Sequence, residues 1–273
     1  MTRLSLGIIG RGRAASALVP RWQDHHEIAF WRSRKDGPLS ETPPCEVLVL
    51  AVPDSAIADV ARALSTRPSA SRETWLHLSG VTPIASLRVS DTLPRAVGGL
   101  HPLVALAPGA TLAGAIAGVE GEDPATLGLV EALARDLTLR PVALDHTAPH
   151  ARALYHAAAV SVAGHATALF AQAMSMMQAA GFSPVLAREA LQPLLLSAAT
   201  NLGQAAPEAA ITGPITRGDI STVEAHLDGL AKAHDHVAPH ALETYRLLAQ
   251  TALDLSPALD PQVRRALEAL LSR

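Results

Sequence analysis

The segment that most constrains this chain is Gly7-Ile8-Ile9-Gly10-Arg11-Gly12-Arg13-Ala14-Ala15. It closes the apolar run Leu4–Ile9 and opens a helix-like stretch from Arg13 to Trp22. A G-x-G-x-x-A string at a strand-to-helix junction has a mechanical reading that the string alone lacks. Gly10 permits the tight turn, Gly12 lets backbone approach a pyrophosphate, and small Ala15 allows close helix–strand packing. The helix that follows presents unpaired N–H groups and a positive dipole end to an anion. Gly7, Gly10, Arg11, Gly12, Arg13 and Ala14 are therefore the expected contacts of a dinucleotide.

The next strand narrows the choice of dinucleotide. An acid about 20 residues past the glycines usually binds the ribose hydroxyls of NAD. Here Ile28-Ala29-Phe30-Trp31 runs into Arg32-Ser33-Arg34-Lys35, with no acid at that point. Cations and a hydroxyl suit a 2′-phosphate, so NADP(H) is the expected cofactor, with Arg32, Ser33 and Arg34 as contacts. Leu48–Pro53 ends another strand, and Val52 and Pro53 are expected to border the nicotinamide half. His77-Leu78-Ser79-Gly80 and Gly99-Leu100-His101-Pro102 follow at later strand ends. Ser79 is a cofactor candidate, and His101 is either a catalytic group or a structural hydrogen-bonder.

Strands and helices alternate up to about residue 145, as in a parallel sheet covered on both faces. Beyond it, strand signals stop. Helices are expected at Ala148–Ala180, Pro184–Leu202, Ser221–Ala233, Val237–Leu253 and Pro261–Leu271, with Thr147 as cap and Pro149 in the first turn of the first. The predicted organisation is an α/β domain at 1–145 and an all-α domain at 146–273. Net charge is −3, so no basic surface calls for nucleic acid. Cys45 is the single cysteine, which excludes an internal disulfide or a Cys-based zinc site. Ala153–Ala187 has no Asp, Glu, Lys or Arg, yet carries His156, His165, Gln172 and Gln178. It reads as a helix buried in a core or a subunit interface rather than as a membrane span. Met1-Thr2-Arg3 leads directly into the first strand, so a cytoplasmic location is expected.

Together Gly7–Ser16, Leu50–Ile57, His77–Gly80, Gly99–Leu103, Leu154–Val160 (LYHAAAV) and Thr212–Asp219 (TGPITRGD) resemble the Rossmann-like proteins with a helical domain of unknown function called DUF2520. That family is similar in turn to 6-phosphogluconate dehydrogenase, ketopantoate reductase and pyrroline-5-carboxylate reductase. The resemblance implies a Rossmann domain, an all-helical second domain that forms a homodimer, and a cleft closing over the nicotinamide. It also exposes a departure. Relatives use a lysine on the long interdomain helix as acid–base, whereas Lys occurs here only as Lys35 and Lys232. His156 occupies the comparable place, one turn after Arg152, and is the expected proton donor, with His101 second. Gly164 stands where many relatives carry Asn.

In TGPITRGD, Arg217 could hold a substrate carboxylate bidentately with Thr212 in support, and Asn201 is a further candidate. The competing reading is a turn leading into a capping box at Ser221-Thr222-Val223-Glu224. His236 and His240 have a metal-compatible spacing, but no Glu accompanies them and no metal site is expected. The expected activity is NADPH-dependent reduction of a small carboxylate-bearing carbonyl compound, ketopantoate-like. The alternatives are a cyclic-imine reductase and a non-catalytic NADP(H)-binding sensor or scaffold.

Overall fold

The structure, a computed structural model, describes residues 3–107, 109–145, 147–148 and 150–272. It forms two compact units that divide between Ala163 and Gly164.

The first unit is built on seven strands: β1 (Ser5–Ile9), β2 (Glu27–Arg32), β3 (Val47–Leu50), β4 (Thr74–His77), β5 (Ala96–Pro102), β6 (Ile116–Gly121) and β7 (Arg140–Ala143). Their order in the sheet is β2-β1-β3-β4-β5-β6-β7. Helices α1 (Arg13–Gln23), α2 (Ile57–Leu64) and α3 (Pro124–Asp136) cover it, and α4 (Ala151–Val160) follows the last strand. This is a Rossmann-like, mostly parallel sheet with helices. One pairing departs from the expected all-parallel sheet: β6 runs antiparallel to β5. The chain between Pro102 and Ile116 forms no helix among its described residues, so β6 starts from the end where β5 stops.

Alternation along each strand explains the two-sided cover. Ile8, Val47 and Val49 join Leu18 and Trp22 of α1 and Leu133 of α3 in one buried cluster. Ile9, Leu48 and Leu50 join Val60 and Leu64 of α2 in the other. Adjacent residues face opposite ways, so runs apolar at every position must be buried on both faces.

A buried ion pair pins the edge of this second cluster. Arg67 donates to Glu73 from both terminal nitrogens, at 2.9 and 2.7 Å, and to the Pro43 carbonyl at 2.6 Å. Glu73 also accepts from the Trp75 indole at 3.0 Å and from the Cys45 backbone at 3.3 Å.

The helical unit contains α5 (Ala166–Ala179), α6 (Pro184–Leu202), α7 (Pro207–Ala210), α8 (Pro214–Arg217), α9 (Ile220–Lys232), α10 (Ala241–Asp254) and α11 (Pro261–Leu271). Ile215, Val223, Leu227, Leu253 and Leu267 form the core of α8–α11. The Pro184 and Pro261 starts agree with the sequence reading because Ser183 and Asp260 cap those helices just before a proline. The cap of α9 differs. Asp219 takes that role, accepting from Thr222 N–H at 3.2 Å, so the helix starts before the expected Ser221 box. The first long helix begins at Ala151 rather than Ala148, with His150 in the left-handed region; Pro149 lies outside the described residues. A π-helical turn, Ser161–His165, joins α4 to α5.

Residues Ala151–Ala179 are long and apolar enough to cross a membrane, and none of that window is buried. The expectation of burial within the chain's own core is thus corrected. Leu154, Val162, Val185, Leu194, Leu196 and Leu202 are exposed on α4, the π turn and α6.

Replacing one partner of the Arg67–Glu73 pair would leave a buried charge unmatched. Arg67→Met should lower stability by about 3–5 kcal/mol in urea unfolding, and adding Glu73→Gln should recover much of the loss.

Candidate functional site

The strand order reverses at β1, which has β2 on one side and β3 on the other, and ligands of open α/β sheets bind outside the carboxyl ends at such a point. Gly10 sits at that point with φ +122°, and a Cβ on it would lie 2.1 Å from the Ala51 carbonyl oxygen. Both backbone angle and space demand glycine. Gly12 differs: a Cβ there would meet nothing within 4 Å. It is the N-cap of α1, with no side-chain cap and no acid in the first turn. Helices α3, α6, α9 and α11 are capped by their own Asp or Ser. The amino end of α1 therefore keeps its N–H groups for an anion. Arg11, Arg13, Ser16 and Arg21 face Ala107, Gly109 and Ala110 across an adjacent cleft of about 410 Å³. Ala14 lies in the first turn of α1, half-buried. Gly7 has another role. It lies within β1, where a Cβ would strike the Phe30 ring at 2.4 Å, so its smallness serves packing.

The loop after β2 holds a residue that sequence reading missed. Asp36 accepts from the Ser33 backbone at 2.7 Å, the Ser33 hydroxyl at 3.0 Å and Arg11 Nε at 3.1 Å. Those bonds, the Ser33 N–H first, hold its carboxyl below the usual range. Arg11 also donates to the Trp31 carbonyl at 3.0 Å, its guanidinium 5.5 Å from the indole centroid. Arg11 and Ser33 are thus engaged with Asp36. Among the described residues, no hydrogen bond or ion pair engages the side chains of Arg32, Arg34 or Lys35. The Ser33…Asp36 spacing was the available signal for this capping box.

Val52 and Pro53 follow β3 and lead through a short 3₁₀ turn into α2, which has no side-chain cap. Ser79 follows β4, and its hydroxyl accepts from the backbone of Val81 and Thr82, at 3.2 and 2.9 Å, closing its own turn. His77 is fully buried, and desolvation pushes its pKa down. His101, on β5, lies 2.9 Å from the Tyr155 hydroxyl through Nδ1. Its ring centroid is 5.6 Å from that of His156. Burial, then the nearby His156, push the His101 pKa down to about 4, while burial pushes Tyr155 up to about 12. His156 Nδ1 is buried without a hydrogen-bond partner among the described residues. Arg152, one turn earlier, is bound by both oxygens of Glu120 and donates to the Thr82 carbonyl at 3.2 Å. Sequence reading gave no role to Tyr155 or Glu120, because the strand that brings Glu120 alongside is distant in the chain.

In the helical unit, Asn201 and Thr212 line one cavity of about 390 Å³ with Ser197 and apolar neighbours. Arg217 is not among that cavity's walls; it ends α8, exposed, with the turn residue Gly218 at φ +69° behind it. His234 pairs with Asp235 at 3.1 Å, and no metal-binding group of three appears among the described residues.

A Rossmann-like sheet unit followed by a helical unit defines the class, and comparison with known proteins narrows it. Residues 115–252 match the domain of unknown function DUF2520, and the chain belongs to that family. No curated protein matches it. Among solved structures, a Bacteroides fragilis protein described as a candidate NADP oxidoreductase shares 19% identity at TM-score 0.77, covering 92% of this chain and 98% of its own. Pyrroline carboxylate reductase of Plasmodium falciparum, with NADP bound, shares 12% at TM-score 0.60, covering 99% of each. Reductive aminase of Aspergillus terreus, in complex with NADPH, shares 18% at TM-score 0.60, covering 98% and 99%. The fold is thus that of NADP-dependent oxidoreductases.

The depressed His101 pKa has a consequence for stability. In the unfolded chain His101 takes up a proton below its ordinary value near 6.5. The folded chain resists uptake until about pH 4. Stability is therefore fully present above pH 6.5 and falls as pH drops toward 4, by a few kcal/mol (about 3) for this group. Urea unfolding of wild type and His101→Gln between pH 7 and 4.5 should show a shallower fall in the variant.

Proposed function

We propose that this chain is an NADPH-dependent reductase of a small carboxylate-bearing carbonyl compound, with a ketopantoate-like 2-keto acid as the first candidate. The observation that carries this reading is the uncapped amino end of α1 behind Gly10 and Gly12, followed by a β2 that ends on Arg32 instead of an acid. Backbone N–H groups at Gly12 and Arg13 would hold the pyrophosphate, and Arg32 and Arg34 the 2′-phosphate. Val52 and Pro53 would border the nicotinamide. When bound, NADPH supplies a hydride. The chain's own work is to hold the cofactor, orient the carbonyl and deliver a proton. Arg217 is the proposed carboxylate anchor.

A cyclic imine is the second candidate, favoured by the fold shared with pyrroline carboxylate reductase and reductive aminase. We further propose a cytoplasmic homodimer through the helical unit. The exposed leucines of α6 form an apolar surface of the kind that a second copy covers.

NADPH should bind at least tenfold more tightly than NADH, and Arg32→Ala with Arg34→Ala should erase that preference in a fluorescence titration. Consumption of NADPH over a panel of 2-keto acids and cyclic imines names the substrate class, and Arg217→Ala should raise KM for the acids at least tenfold. Binding without turnover across the panel would leave the sensor reading. Light scattering should give twice 28.4 kDa, and Leu195→Glu should shift the protein toward monomer.

A further inference from the structure

We infer that Tyr155 is the catalytic proton donor of this reductase and that His101 is the residue that positions it. The inference rests on the reductase reading and assigns a role that the sequence had offered to His156.

The geometry comes from four separate parts of the chain. Tyr155 stands on α4 and His101 on β5, with the hydroxyl 2.9 Å from Nδ1 and the rings edge to face at 5.5 Å and 73°. Two glycines make the meeting possible. A Cβ on Gly80 would lie 2.7 Å from the His101 ring, and a Cβ on Gly118 would lie 2.6 Å from the Tyr155 hydroxyl oxygen. Neither glycine has a positive φ. Space, not backbone freedom, is what these two positions require. Gly118 is cross-strand partner to His101, so one β-bridge sets the floor under the pair.

The surroundings decide which partner gives the proton. The ionisable groups around the pair are His77 on β4, Asp54 after β3, Glu120 on β6, and Arg152 and His156 on α4. Arg152 and Glu120 satisfy one another, which removes the guanidinium as an acid partner for the phenol. His101 is neutral at neutral pH and so lacks an imidazolium proton to give. Tyr155 keeps its proton throughout the working range. A phenol is nonetheless a much stronger acid than the alcohol formed in carbonyl reduction, so transfer to a developing alkoxide runs downhill.

The step balances as follows. The carbonyl carbon takes up a hydride, with its electron pair, from the reduced nicotinamide dinucleotide, and the C=O π pair moves to oxygen. The Tyr155 O–H bond breaks, and its proton goes to that oxygen. His101 Nδ1–H donates to the phenolate so formed, and water returns the proton to Tyr155. An alkoxide needs this proton, whereas an iminium carries its own. The arrangement therefore favours a ketone or aldehyde over a cyclic imine.

The test is Tyr155→Phe, assayed with the best 2-keto acid of the panel, beside NADPH titration. NADPH affinity should stay within twofold of wild type while kcat falls on the order of 10²–10³-fold. A second readout does not depend on turnover. In protein carrying ¹⁵N-labelled histidine, the His101 Nδ1 resonance should show a hydrogen-bonded, neutral ring at pH 6 and should shift in Tyr155→Phe. Gly118→Ala, which crowds the hydroxyl without removing it, should shift the same resonance and lower kcat, with NADPH binding retained. If wild type is active and Tyr155→Phe keeps kcat within threefold, another group is the donor and the inference falls. It falls equally if the His101 resonance is unchanged in both variants. If wild type binds NADPH but reduces no carbonyl on the panel, the reductase reading fails first.

Discussion

Everything at the carboxyl edge of the sheet follows from one close approach, that of Gly10 to the Ala51 carbonyl. β1 and β3 are neighbours, and between them the chain visits β2 on the far side of β1. The turn after β1 has to leave the sheet beside the end of β3, with φ at +122° and no room for a Cβ. A second bond fixes the same turn from the other side, since Gly10 N–H donates to the Arg32 carbonyl at 2.8 Å. The Trp31 indole N–H reaches the Gly10 carbonyl at 2.6 Å. With its start held in this way, α1 points its unpaired N–H groups outward. Buried contacts of Leu18 and Trp22 supply the stability that the missing cap does not.

The same edge collects groups of quite different purpose. At β1 and β2 they are cationic and exposed, suited to phosphates. At β4, β5 and α4 they include His77 and His101, whose pKa values burial pushes down, and Tyr155, whose pKa burial pushes up. The Arg152–Glu120 pair neutralises the one guanidinium on α4. Its charge would otherwise lie one turn from His156.

Three lines of the sequence reading show how far pattern goes. The strand-end motif at Gly10–Ala15 is readable because its residues are consecutive and stand at one strand-to-helix junction. The helices at Pro184 and Pro261 were readable because cap and proline stand next to one another. Asp36, by contrast, lies beyond the strand end, where an acid that binds ribose hydroxyls is expected, and three residues past Ser33, which it caps. The long uncharged helix reads as one buried in a core or a subunit interface, and within this chain it is exposed. Hydrophobicity along one chain says that a surface needs cover, and cannot say whether cover comes from the same chain.

By itself, then, the sequence determined the succession of strands and helices followed by helices alone, the strand-to-helix turn at Gly10–Ala15 and the absence of a lysine from the long helix. These depend on contacts within one turn or one strand, where residue type and spacing are the physics. Only the tertiary structure decided that β6 reverses, that Arg67 and Glu73 share a buried pair, and that Tyr155 meets His101. The last needs β4, β5, β6 and α4 to converge, with Gly80 and Gly118 vacating the volume that two rings occupy. Such vacancy is a property of packing in three dimensions, and a glycine gives no sign in sequence of what fills the space it leaves.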